Sequence, residues 1–190
     1  MGWTSRLSDA VLSLEKRLIT LLAAALVLLI LLNIVTRSAG AAIFWVDELA
    51  IYTMIWMALI GASAMLRMRI GVAVTLVIDL LPLRAHRAIA RCVDAVLLLF
   101  AMTLLMLCWQ WYDPIALVQS GFDLDVFAQN TFKFIYTEPT NTIGIPKFWI
   151  WLAVPLMAAT MTIHAVANLL EGPPVKGSDG HADADLPSRL

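Results

Sequence analysis

Residues 44–66 read FWVDELAIYTMIWMALIGASAML. Asp47 and Glu48 stand directly before Leu49–Leu66, a run without a single charged side chain. Such a run is long enough to cross most of a hydrocarbon core of about 30 Å at 1.5 Å per residue. The rest of the chain matches it. The sequence is 61% hydrophobic and 14% charged, with a mean hydropathy of +0.84, whereas soluble domains carry about 25% charged residues. Three further runs qualify: Leu18–Thr36, Ala95–Tyr112 and Phe148–Leu170, each flanked by charged residues. They show no alternating barrel pattern, and backbone polar groups in lipid must be satisfied within the segment. The fold class is therefore all-α integral membrane, with four transmembrane helices.

Ala39-Gly40-Ala41 looks like a signal-peptidase site, but the run before it exceeds a signal h-region and three more spans follow. The first span reads as an uncleaved anchor. The expected organisation is a cytoplasmic segment 1–17, a transmembrane domain 18–170 and a disordered cytoplasmic tail 171–190, rich in Gly, Pro and Asp. Lys and Arg number three before the first span, then one, five and two in the successive loops, and two in the tail. That is ten against three, and the positive-inside rule puts both termini in the cytoplasm.

Between the second and third spans, Val72–Leu81 is apolar but too short to cross. Arg84, Arg87 and Arg91 then fall on one helical face, as expected of an amphipathic segment at the cytoplasmic leaflet. The third loop, Asp113–Lys147, holds Phe122, Phe127, Phe132, Phe134 and Tyr136. So many aromatics exclude a disordered linker. They fit an aromatic belt or a docking surface.

Nothing in the sequence is catalytic. It has no Gly-rich phosphate loop, no Ser/His/Asp spacing and no metal-ligand cluster, and Cys92 and Cys108 form no disulfide framework. Inside the spans His164 stands out, with Asn168 one turn on. It reads as a hydrogen-bonded buried polar residue; bis-His haem ligation would need a second buried histidine, and His86 and His181 lie outside the spans. Pro155 is expected to kink the last span. The chain shows no internal repeat, broken helix or buried charge pair of the kind a self-sufficient carrier uses.

Trp45-Val46-Asp47-Glu48 with Gly61, then Arg67 and Arg69, GVAVTLVIDLLP (Gly71–Pro82) and GIPKFWIWLAVP (Gly144–Pro155) occur in order across the four spans. Together they resemble the small membrane subunit, DctQ-like, of tripartite ATP-independent periplasmic (TRAP) transporters, from about Leu18 to Leu170. The chain departs from that family at Gly71 and Thr75, where a His and an Asp are common. The resemblance implies an accessory subunit, not an enzyme, of a sodium-gradient-driven symporter for an organic acid or similar solute. It implies a bacterial inner membrane and two partners, a large permease subunit and a periplasmic solute-binding protein, but no nucleic acid. No cofactor is expected here, since sodium would bind the large subunit.

Trp45, Asp47, Glu48, Gly61, Arg67 and Arg69 are the expected partner-facing residues, and the five loop aromatics would lie near the binding protein. For Asp47 and Glu48 three roles stand: capping the second span, pairing with basic groups on a partner, and ion binding. Two other readings are a haem-holding anchor of a respiratory enzyme and a free-standing tetraspan structural protein.

Overall fold

Apolar runs of this length close every backbone hydrogen bond locally, so helices dominate. A computed structural model describes residues 2–69 and 83–172, with side chains from residue 88 onward in the second stretch. It contains α1 (Trp3–Ser38), α2 (Phe44–Met68), α3 (Leu83–Tyr112), α4 (Pro114–Gln119), α5 (Leu124–Thr131), α6 (Phe148–Trp151) and α7 (Ala153–Glu171). Four helical stretches are long and apolar enough to cross a membrane, with α6 and α7 together forming the fourth. Among the described residues no strand forms beyond one isolated bridge, Pro139 to Pro146. The segment 72–81, the side chains of Arg84 and Arg87, and the tail beyond Gly172 lie outside the described residues; Arg91 is exposed.

Two helices begin earlier than the apolar runs do. With 36 residues, α1 is about 54 Å long, nearly twice a hydrocarbon core. Its first half is held as helix by contacts with α7, because Ser5, Ser8 and Glu15 are buried and their spacing puts them on one face. In the same way α2 starts at Phe44, so Asp47 and Glu48 already sit inside the helix. The last span is interrupted at Leu152. Pro155 has no N–H to give the Trp151 carbonyl four residues back, so the expected kink takes the form of a break one turn before it.

The bundle is organised around α7, which packs against α1, α2 and α3. Buried Ala101, Met157 and Met161 meet Leu59, Ala62, Leu66 and Leu104 where α2, α3 and α7 converge. Lipid tails are as apolar as side chains, so association here rests on close packing and interhelical hydrogen bonds. Ala153, Ala158, Ala165 and Ala167 are buried along α7 and let neighbouring backbones approach. Ser63 on α2 is fully buried and shares a 2.7 Å hydrogen bond with Thr160, and the Trp56 indole donates to the Ile150 carbonyl at 2.9 Å. Gly61 differs from its neighbours: a Cβ there would meet nothing within 4 Å, so it faces outward. In the most apolar window of α1 no residue is buried, against 44% in the fourth span. The middle of α1 packs along α2 on one side, while Leu21, Leu28, Leu31 and Val35 on the other side stay exposed.

Candidate functional site: polar clasps at the two ends of the bundle

One end of the bundle carries the 113–147 segment and is called the loop end; the other carries the N-terminus and Gly172 and is called the terminal end. Each has its own set of buried polar groups.

At the loop end the two carboxylates diverge, as adjacent helical positions point about 100° apart. Asp47 turns to α1, accepting from Arg37 and from the Asn33 amide. This pair is open to water, with side-chain exposures of 59% and 40%, so it contributes at most about 1 kcal/mol. Glu48 turns inward and is 8% exposed. Its oxygens accept the backbone N–H groups of Asn141 (2.8 Å), Thr142 (2.6 Å) and Ile143 (3.0 Å), the Thr142 hydroxyl (2.5 Å) and the Tyr52 hydroxyl (2.7 Å). Three consecutive N–H groups converging on one carboxylate form an anion nest. The nest is the tip of a short hairpin closed by Lys147 N–H to the Glu138 carbonyl and Thr140 N–H to the Ile145 carbonyl, both 2.8 Å. Gly144 supplies its left-handed residue, φ +78°. Neither carboxylate hydrogen-bonds the free N–H groups of its own helix. Capping gives way to clasping, because α2 begins a turn ahead of them.

Beside this hairpin the loop folds back onto the ends of the third and fourth spans. Phe127, Ile135 and Tyr136 are buried against Tyr112, Phe148 and Trp151. The Tyr136 hydroxyl donates to the Tyr112 carbonyl at 2.7 Å. Burial, with the Asp113 charge second, pushes its phenol pKa up, so it remains a donor. Lys133 donates to the Gln110 carbonyl and to Asp113, both at 2.6 Å. Phe122, Phe132 and Phe134 stay exposed. The five aromatics therefore divide into two that build a core and three that do not.

At the terminal end Arg67 joins three helices. Its side chain is 9% exposed and its guanidinium donates to Asp9 of α1 and to Asn168 and Glu171 of α7, over 2.7–3.1 Å. The Asn168 amide returns a bond to the Leu66 carbonyl at 2.9 Å. Arg69, in a left-handed C-cap with φ 54°, donates to the Asn168 and Gly172 carbonyls at 2.7 and 3.1 Å. It thus neutralises the negative end of α7. Arg69 also lies 3.1 Å from Asp94 of α3, which brings the fourth helix into the same network.

Deeper in, His164 is fully buried, with Nδ1 2.7 Å from Ser8 Oγ and Nε2 3.1 Å from Glu15 Oε2. Sequence spacing shows no such trio, since 149 residues separate Glu15 from His164. A serine, a histidine and an acid in line can activate a nucleophile, but Ser8 and His164 are each 0% exposed, so no substrate reaches Oγ. The trio ties α1 to α7. Among the described residues no three His, Cys, Asp or Glu side chains converge on a metal position. Cys92 and Cys108 are free thiols.

Four apolar helices clasped at both ends describe a scaffold, and sequence comparison says whose. The family model for the DctQ component of tripartite ATP-independent periplasmic transporters matches residues 26–173. The chain belongs to this family. It is a multi-pass membrane protein and a small permease subunit of a TRAP transporter, a transporter component rather than an enzyme. It is similar to the C4-dicarboxylate TRAP transporter small permease protein DctQ of Vibrio cholerae serotype O1. The two are 26% identical over 166 residues, which is 85% of this chain and 72% of the relative.

For a small TRAP permease subunit the clasps explain how so few helices keep a fixed shape. Of the six residues expected to face partners, Asp47, Glu48, Arg67 and Arg69 have their polar groups engaged within the chain. Trp45, 45% exposed, and Gly61 remain open at the surface. The residues that spacing did not single out are Ser5, Ser8, Asp9 and Glu15. Their signal was a polar stripe on one helical face, running ahead of the first apolar run.

Proposed function

We propose that this small permease subunit braces a large permease subunit in a bacterial inner membrane, and that the pair takes up a solute delivered by a periplasmic binding protein. Both termini are cytoplasmic in this reading and the loop end is periplasmic, which the ten-to-three distribution of Lys and Arg supports. Reporter fusions at Leu190 and within the Asp113–Lys147 loop are expected to report opposite sides, with Leu190 inside; a periplasmic Leu190 reverses the orientation.

The observation that carries the bracing role is α1. Polar clasps hold it at both ends and α2 lies along one side, yet no residue of its most apolar stretch is fully buried and Leu21, Leu28, Leu31 and Val35 are exposed. A helix so firmly positioned offers a rigid apolar face to a second membrane protein, and outward-facing Gly61 on α2 gives a point of close approach. Trp45 lies at the rim of that surface. Sodium and solute are held by the large subunit, the solute is an organic acid or similar anion, and the binding protein approaches the loop end.

Reconstitution tests this reading. The chain alone in liposomes under a sodium gradient should take up no solute. Addition of a large TRAP permease subunit, with its loaded binding protein, should produce uptake, and the two membrane subunits should copurify. Flux through the isolated chain, or full uptake without it, contradicts the bracing role.

A further inference from the structure

The three exposed phenylalanines of the 113–147 segment need an explanation that the scaffold role does not supply. Phe122 is 66% exposed, Phe132 82% and Phe134 56%, and Ile115 and Val118 on one face of α4 are 57% and 60% exposed. This exposure does not come from a loosely held loop. Phe127 beneath is 0% exposed, and Asp123 caps α5 through the N–H groups of Asp125 and Val126 at 3.0 and 3.1 Å. Phe122 and Phe132 also occupy left-handed backbone positions, φ 64° and 55°, which bulky L side chains rarely adopt. Aromatic rings are thus displayed at positions where glycine or asparagine would sit more easily.

The height of the segment identifies what meets those rings. Its buried side rests on Tyr112, Phe148 and Trp151, residues at the ends of two membrane spans, so the loop lies down on the bundle rather than rising from it. Trp109, Trp111 and Trp149 are exposed at the same span ends, at 59%, 39% and 55%, continuous with the lipid-facing surface of the helices. Tryptophan at such positions marks the boundary between headgroups and acyl chains. Charge narrows the choice further. Residues 113–147 hold four acids, Asp113, Asp123, Asp125 and Glu138, against Lys133 and Lys147, a balance of −2. Both lysines are already paired, with Asp113 and Glu138.

We propose that this segment is a lipid-seated float: Ile115, Val118, Phe122, Phe132 and Phe134 insert among the headgroups and upper acyl chains of one leaflet. The binding is apolar and independent of anionic lipid. It rests on the chain spanning a membrane, not on which leaflet the loop end faces, so it stands or falls separately from the orientation and partners proposed above.

Spin labels test it in the full-length chain. In a Cys92→Ser, Cys108→Ala background, single variants Phe122→Cys, Phe132→Cys and Phe134→Cys are labelled and reconstituted into phosphatidylcholine liposomes. Asn130→Cys serves as the polar comparison on the same segment and Leu28→Cys as the mid-span comparison. Collision with a water-soluble nickel chelate is expected to be several-fold lower at the three phenylalanine sites than at Asn130. Collision with oxygen is expected to be higher there, approaching Leu28. Exchanging part of the phosphatidylcholine for phosphatidylglycerol should leave these ratios unchanged. Using three sites keeps the test decisive if one variant fails to insert. Nickel access equal to that at Asn130, or protection that appears only when a binding protein is added, overturns the proposal.

Discussion

Replacing Glu48 with glutamine is expected to release the hairpin at 139–146 and weaken the whole fold. The carboxylate accepts five hydrogen bonds in a site that is 8% exposed. Glutamine fills the same volume but turns an NH2 group toward backbone N–H donors, leaving at least one buried amide without an acceptor. Bonds to a charged acceptor contribute about 1.5–3 kcal/mol each, and a stranded buried donor costs about 1–3 kcal/mol. A net loss of about 3 kcal/mol corresponds to a roughly hundredfold faster hydrogen exchange at the amides of Asn141, Thr142 and Ile143. Exchange in detergent micelles, followed by mass spectrometry, measures it. Unchanged protection of those three amides would remove Glu48 from its central place at the loop end.

The second large effect is expected at Arg67. Its guanidinium bonds to α1 through Asp9 and to α7 through Asn168 and Glu171, while its own side chain is 9% exposed. Arg67→Gln leaves two carboxylates facing an uncharged group. Those carboxylates are 47% and 39% exposed, so water compensates for part of the loss, and about 2–3 kcal/mol remains. Arg67→Lys should recover little, because an ammonium cannot present the planar fork that reaches three acceptors at once. Denaturant titration in micelles measures both, with Arg37→Gln as the control. That exposed pair should shift stability by less than about 1 kcal/mol. Equal effects at Arg37 and Arg67 would contradict the burial argument.

Both residues illustrate what the amino-acid sequence discloses and what it withholds. The four spans are plain in it because each is a property of one continuous run, set by the thickness of a bilayer. The family is plain because its motifs keep their order. The apolar run starts at Leu49 but α2 starts at Phe44, because charge bounds the lipid-crossing stretch while the backbone has no reason to stop being helical there. Glu48 therefore sits inside the helix and clasps the hairpin, a role beside the capping, partner-pairing and ion-binding ones that its place before the apolar run suggests. Partners 93 and 101 residues apart, such as Asn141 with Glu48 and Asn168 with Arg67, leave no trace in local spacing. The loop aromatics were legible as evidence of order. Which of them turn inward is decided by Tyr112, Phe148 and Trp151, so it was not legible.

The central position of α7 also dictates a sequence of events in time. It is the last of the described helices to be made, and most of the interhelical bonds at the terminal end run through it. Asn168 follows Arg67 by 101 residues, which at about 5–20 residues per second is a delay of roughly 5–20 seconds. Throughout that interval Ser8 and Glu15 lack His164, and Arg67 has Asp9 but neither Asn168 nor Glu171. The first two helices already pair through their own packing and through Asp47 and Asp9, while Ser8 and Glu15 are held near headgroups or against the insertion machinery. The bundle closes only once α7 arrives, so a nascent chain released before it keeps the α1–α2 pair but lacks the helix that packs against α1, α2 and α3 alike.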